Sequence, residues 1–236
     1  MRGGKYLILL LSLMALLVWT RTSSHAVPTL RLTDGTATVT IEDEGLLDIN
    51  PLANWVTFLG RVGPYWYANV TTGSVGQDMA VAHMNLSSVN STRSAGVVPP
   101  DLNIQFSEVG FTGETFSRFF DAMLLGGGTT HGTVTFTYWL DDHNTLFGLT
   151  TLLGTLGLFG SGAFSGSKKG YGAASSPFSL TLEATLHHPA GAAKTTSFSQ
   201  GLDQQVQSNI PEPITLILYG LGFLGAGLYR RLRRPK

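Results

Sequence analysis

The chain contains no cysteine. That single absence removes thiol nucleophiles, thiolate metal sites and disulfide staples, so any folded part is held by its core alone. Charge is sparse too, at 13% Asp, Glu, Lys and Arg, and basic charge is scarcest in the middle of the chain. Eight of the fifteen basic residues (Arg2, Lys5, Arg21, Arg230, Arg231, Arg233, Arg234 and Lys236) lie near the two ends. Residues 27–213 therefore carry seven basic and fifteen acidic side chains, net −8, beneath an overall formal charge of zero. An acidic body repels phosphate, which excludes a nucleic-acid partner. There is no Gly-x-Ser-x-Gly nucleophile elbow, no His-Glu-x-x-His helix and no repeat at a solenoid period.

What is present is clearest at the ends. Arg2 and Lys5 precede an apolar run from Tyr6 to Trp19, and small and polar residues follow up to Ser24-His25-Ala26. A basic segment, a short apolar segment and a small-x-small site make a secretory signal peptide over residues 1–26, with cleavage after Ala26. The run of fourteen residues falls short of the roughly twenty needed to span a bilayer. Its partners are the secretion translocon and signal peptidase.

At the other end, Pro211-Glu212-Pro213 precedes the apolar stretch Ile214 to Tyr229 and the basic cluster Arg230, Arg231, Arg233, Arg234 and Lys236. Two prolines remove backbone donors and hold the segment extended. Sixteen apolar residues cover roughly 24 Å as a helix, and snorkelling arginines extend the span. The arginine cluster stays cytoplasmic, which turns Pro-Glu-Pro outward. Gly220, Gly222, Gly225 and Gly227 permit close approach by another membrane protein.

This order of extended motif, Gly/Leu-rich helix and terminal arginines, on a chain that begins with a signal peptide, resembles the PEP-CTERM sorting signal of Gram-negative bacteria. The resemblance covers residues 211–236. It implies recognition by an exosortase that cuts near Pro211, Glu212 and Pro213, transient anchoring in the inner membrane with the body in the periplasm, and delivery to the cell surface or the exterior. In that family such proteins accompany exopolysaccharide and biofilm production. The body, with Leu32-Thr33-Asp34-Gly35 and Asp48-Ile49-Asn50-Pro51-Leu52, is similar to ectodomains found on proteins of this kind, a likeness that implies no activity.

The body reads as strands. Thr36 to Ile41 alternates hydroxylic and apolar residues just after the turn pair Asp34-Gly35. Similar period-two stretches run from Trp55 to Val62, Tyr65 to Thr71, Leu102 to Ser107, Thr133 to Trp139 and Phe178 to Leu186. Gly63-Pro64, Pro99-Pro100, Gly126-Gly127-Gly128, Asp141 to Asn144 and His187 to Gly191 have turn composition. Leu146 to Phe159, apolar but interrupted by glycines, reads as strand and loop, and Ser161 to Ser176 as a flexible Gly/Ser-rich surface loop. The expected class is all-β: an antiparallel β-sandwich over 27–199, a polar linker over 200–210, a signal helix before it and a transmembrane helix (214–229) after it.

Candidate sites are few, and no catalytic residue or cofactor is expected. Glu42, Asp43 and Glu44 with Asp48 and Asn50 offer oxygen ligands for calcium, without the spacing of a known calcium loop. Asp141-Asp142-His143 and His187-His188 are suitable metal donors, yet both fall at expected hairpin tips where polar residues gather. Trp55, Phe58, Tyr65, Trp66 and Tyr67 form an aromatic cluster, in which Trp55, Tyr65, Trp66 and Tyr67 are candidates for stacking on sugar rings, set against burial in the core. The sequons at Asn69, Asn85 and Asn90 mark surface loops. Two functions follow as expectations: a non-catalytic, exopolysaccharide-associated surface or matrix protein, or a carbohydrate-binding or carbohydrate-active module using the aromatic face.

Overall fold

The computed structural model describes residues 27–76, 80–93, 96–112 and 119–205. The signal peptide with Ala26, residues 206–210 of the linker, Pro211 to Pro213, the apolar stretch and the arginine cluster all lie outside them.

Twelve strands occur among the described residues: β1 Thr29–Thr33, β2 Thr38–Glu42, β3 Trp55–Val62, β4 Trp66–Val75, β5 His83–Thr92, β6 Leu102–Phe111, β7 Phe119–Thr130, β8 Thr133–Asp141, β9 Thr151–Phe159, β10 Gly162–Ala173, β11 Phe178–His187 and β12 Lys194–Gln204. They form two six-stranded antiparallel sheets, ordered β2-β1-β6-β11-β8-β9 and β10-β7-β12-β5-β4-β3. The all-β reading holds among these residues. Along one side the chain steps between sheets from β9 to β10, and along the other from β2 to β3 through residues 43–54.

The core follows from strand periodicity. Phe178, Leu180, Leu182, Ala184 and Leu186 share one face of β11, and all are buried. Met84 and Leu86 on β5, Ile104 and Phe106 on β6, and Phe136 and Tyr138 on β8 fill the same interior. Removing this apolar surface from water drives the two sheets together. A polar seam runs through it: Thr71 and Ser88 hydroxyls meet at 2.6 Å, and Gln200 Nε2 donates across to the carbonyls of Thr137 (3.3 Å) and Glu183 (3.2 Å) on the facing sheet.

Several sequence expectations are corrected. Ser161 to Ser176 is not a loop, because Gly162–Ala173 pairs along its whole length with β7. Gly126-Gly127-Gly128 is not a turn but part of β7, where a Cβ on Gly126 would lie 2.4 Å from the Phe136 ring. Gly172 on β10 is similar, its missing Cβ leaving room for Leu153 of β9 in the facing sheet at 2.9 Å. In both strands glycine serves close approach between layers. Residues 200–204, read as linker, complete β12, which pairs as far as Asp203 with β5 and Gln204 with β7. The sequon asparagines are not in loops: Asn69 lies on β4, Asn85 and Asn90 on β5, and Asn90 is fully buried.

Candidate functional site

The aromatic cluster does not form one platform. Inward phase on β4 buries Trp66 completely, with Nε1 donating to Pro100 O at 2.7 Å, so it is a core residue and not a stacking surface. Phe58 is buried, and Tyr65 packs half-buried against the core. Trp55 is 44% exposed at the start of β3, while Tyr67 is half-buried beneath the Arg61 guanidinium, 4.8 Å from its ring centroid. Arg61 is the register partner of Tyr67, six residues along β3 from Trp55, which separates those two rings by roughly 20 Å.

The outer face of the second sheet is instead hydroxylic. Register aligns Thr57, Thr72, Ser87, Ser199, Gly127 and Ser165 in one row across all six strands. Thr57 and Thr72 hydroxyls lie 2.9 Å apart, and Ser87 donates to Ser199 at 3.0 Å. Small side chains keep this row low, while Trp55 and Leu59 stand exposed beside it on β3.

In the loop that follows β2, the calcium candidates part company. Asp48 is an organiser of the chain: Oδ1 accepts from Asn50 N (2.9 Å) and Thr57 N (2.8 Å), and Oδ2 from Glu44 N (3.2 Å). These three amide hydrogens take up three of the roughly four lone-pair directions of the carboxylate, which ties Asp48 to the backbone of its own loop. Asn50 is likewise engaged, through Leu52 N at 3.1 Å and Thr57 Oγ1 at 3.2 Å. The exposed Glu44 side chain points to solvent. Asp43 differs. Its Oδ2 accepts from Asn54 N at 2.7 Å, but its Oδ1 is buried and without a hydrogen-bond partner.

Glu108 was not legible as a site residue. The alternation of β6 continues past Ser107, so Glu108 takes the inward position after Leu102, Ile104 and Phe106. It is 1% exposed, and its Oε2 has no hydrogen-bond partner among the described residues. Burial pushes the carboxyl up to about 8, a backbone hydrogen bond from Val109 opposes the rise, and the Asp43 charge adds to it. The signal was available: one more step of period two places a carboxylate on an apolar face.

The two histidine clusters are hydrogen-bonded into the fold. Asp141, Asp142 and His143 bring one donor atom each within 4.8 Å of one another. Asp141, however, is turned into its own loop, with Oδ2 accepting from Thr145 N at 2.8 Å. Its burial raises the carboxyl, but bonds from the Thr145 amide, the Thr150 and Thr145 hydroxyls and His143 together hold it below the ordinary range. His187 and His188 do not share a hairpin tip as a ligand pair. His187 faces Asp101, 2.8 Å from Nδ1, whereas His188 is fully buried. Its Nδ1 meets Thr92 Oγ1 at 3.1 Å, its Nε2 meets Thr196 Oγ1 at 2.7 Å, and its ring lies 4.6 Å from that of Trp66. Burial, then the positive charges of His131, His187 and Lys194, lower it to about 4. It is a neutral core histidine at ordinary pH.

No curated protein matches the chain by sequence. Residues 209–234 do match a family, the PEP-CTERM protein-sorting motif. The segment that opens at Asn209 and includes Pro211, Glu212, Pro213 and the arginines Arg230, Arg231, Arg233 and Arg234 is thus a PEP-CTERM protein-sorting motif, carried by a chain whose described part is a two-sheet β-sandwich.

Proposed function

We propose that this is an exported, exosortase-sorted surface or matrix protein whose sandwich is non-catalytic and associates with exopolysaccharide. The observation that carries the sorting half is the motif at 209–234. A cleaving enzyme needs an extended, unpaired backbone at a fixed height above the bilayer, and proline on both sides of Glu212 supplies it at low ordering cost. The apolar stretch serves as a handle, and the arginines set its orientation. Supporting the matrix half is the row from Thr72 to Ser165: a low, neutral hydroxylic sheet face, beside which Thr57 is already buried, offers weak hydrogen bonds to a hydrated polymer. The acids and histidines of the loops, Asp48, Asp141 and His188, are spent on the fold itself.

Intact-mass analysis of protein from the native host tests the sorting. The expected species begins near Val27, ends near Pro211 to Pro213 and lacks Arg230 to Lys236. A product that keeps those residues in cells with an active exosortase would leave only a membrane anchor. The second reading, a lectin-like module, is favoured by the exposed indole of Trp55. Glycan binding abolished in Trp55→Ala, with the unfolding curve unchanged, would select it.

A further inference from the structure

Asp43 and Glu108 come from distant parts of the sequence and point into the same region between the sheets. Along β2, Val39 packs on the core and Ile41 is buried; Asp43, the first residue past the strand, stays tied to the ladder by its amide bond to Pro28 O at 3.0 Å, and its Oδ1 is buried. Along β6, Glu108 follows Phe106 inward and stands opposite the buried Leu180. Pairing of β1 with both β2 and β6 brings the ends of these strands together, through Glu42, Thr29 and Ser107 in one register row. The charge of Asp43 is felt at Glu108.

Six buried side-chain oxygens lack partners among the described residues. Asn90 Oδ1 and Gln200 Oε1 are neutral amide oxygens, which cost less to desolvate than a carboxylate. Asp34 and Asp121 stand as single acids. Asp43 and Glu108, one residue beyond the row of Glu42, Thr29 and Ser107, bring two carboxylates, each with one orphaned oxygen, to the same end of the sheet. The ion pairs among the described residues are all between histidine and aspartate, and neither Asp43 nor Glu108 takes part in one. Glu108 is 1% exposed and Asp43 half-buried beside it, and a second like charge near a buried carboxylate is unfavourable unless something of opposite charge stands between them.

We propose that Asp43 and Glu108 hold a calcium-class divalent cation at this end of the sandwich, with Asp43 Oδ1 and Glu108 Oε2 as its two anionic ligands. Both are hard oxygen donors, and the remaining coordination positions suit water or backbone carbonyl oxygens. The ion would tie the step from β2 to β3 to the central strand β6, joining the two sheets where the core gives way to the loop of residues 43–54. Glu108 replaces Asp48 in the ligand set that the sequence offers.

The test is thermal unfolding of the purified full chain in mild detergent at pH 8, after chelation, with calcium chloride added back. Wild type should gain roughly 5 °C in Tm at saturating calcium, as for any ion that binds the folded state alone. Glu108→Gln and Asp43→Asn should fold and lose that gain, while Asp142→Asn should keep it. Isothermal titration should give one calcium site in wild type and none in Glu108→Gln. Absence of a calcium-dependent rise in wild type would overturn the proposal. A rise that survives Glu108→Gln but vanishes in Asp142→Asn would place the ion in the β8–β9 loop and overturn it equally.

Discussion

The two ends of the sandwich bury ionisable groups in opposite ways. At one end, beyond the last residue of β11, His188 has a hydroxyl on each ring nitrogen and an indole against its face. At the other, near the first residues of β11, Glu108 sits opposite Leu180 with an orphaned oxygen and a second acid for company. A buried group with a complete set of partners belongs to the architecture, since leaving it unpaired would cost a few kcal/mol. One whose partners are missing is stable only if it stays neutral or meets a counter-charge from outside. The contrast therefore separates what the chain supplies for itself from what it leaves open.

The sharpest way to break this comparison is through pH in calcium-free buffer. With its folded value raised from 4.5 to about 8, Glu108 keeps a proton that the unfolded chain releases. Its contribution is complete below pH 4.5, declines as pH rises and is gone above about 8. The whole window amounts to on the order of 5 kcal/mol at about 1.4 kcal/mol per unit. Urea unfolding from pH 5 to 8 should show wild type losing stability while Glu108→Gln stays level. A flat wild-type profile would mean that Glu108 is solvated and the two ends are alike.

Next in size is the wall of the satisfied end. Trp66→Ala removes a fully buried indole, its bond to Pro100 O and the ring that covers His188, and should cost about 3–5 kcal/mol in equilibrium unfolding. A loss below 1 kcal/mol would return Trp66 to the surface. His188 itself should then be read from its slope. Its folded value is lowered from 6.5 to about 4, so the unfolded chain binds the proton first as pH falls. Stability is full above pH 6.5 and declines towards pH 4, by roughly 3 kcal/mol over the window. His188→Gln should lower stability at pH 7 yet flatten the acid limb; an unchanged limb would assign it to carboxylates.

Legibility in the sequence follows the same division. Period two placed β3 from Trp55 to Val62, despite its register shift between Phe58 and Gly60, and it placed the buried face of β11, because Val56, Phe58 and Val62, like the run from Phe178 to Leu186, keep apolar residues at alternate positions. It failed for β10 and for the glycines of β7, whose small residues answer to neighbours across the interior and not to water. Hydropathy registers only water. The end of β12 was hidden likewise, since its polar residues on the outer face resemble a linker until their ladder partners are known. At the sites, residue types were visible and their phase was not: His188, Trp66 and Asn90 face inward by strand position, and Glu108 became a site residue only when β1, β2 and β6 were aligned.

The smallest effect sharpens the comparison by setting one buried acid against another. Asp34, 2% exposed in the β1–β2 turn, lies at the His188 end; its Oδ2 lacks a partner among the described residues, while its Oδ1 accepts from Thr36 N at 2.9 Å, Thr36 Oγ1 at 2.8 Å and Ala37 N at 2.8 Å. Burial raises this carboxyl, as it raises Glu108. Here the bonds from the Ala37 amide, the Thr36 hydroxyl and the Thr36 amide together outweigh it and leave the value below 3.8. Its contribution is therefore present above the unfolded carboxylate range and is lost as pH falls through the depressed value, the reverse of Glu108. Asp34→Ala should cost about 1–2 kcal/mol at pH 7 by removing the turn's acceptor, and Asp34→Asn, which keeps an oxygen in place, should cost less. Stability curves from pH 2 to 7 would decide it: if Asp34→Ala matches wild type at pH 7 and its acid limb is unshifted, the turn is held by its backbone alone and the satisfied end owes nothing to this carboxylate.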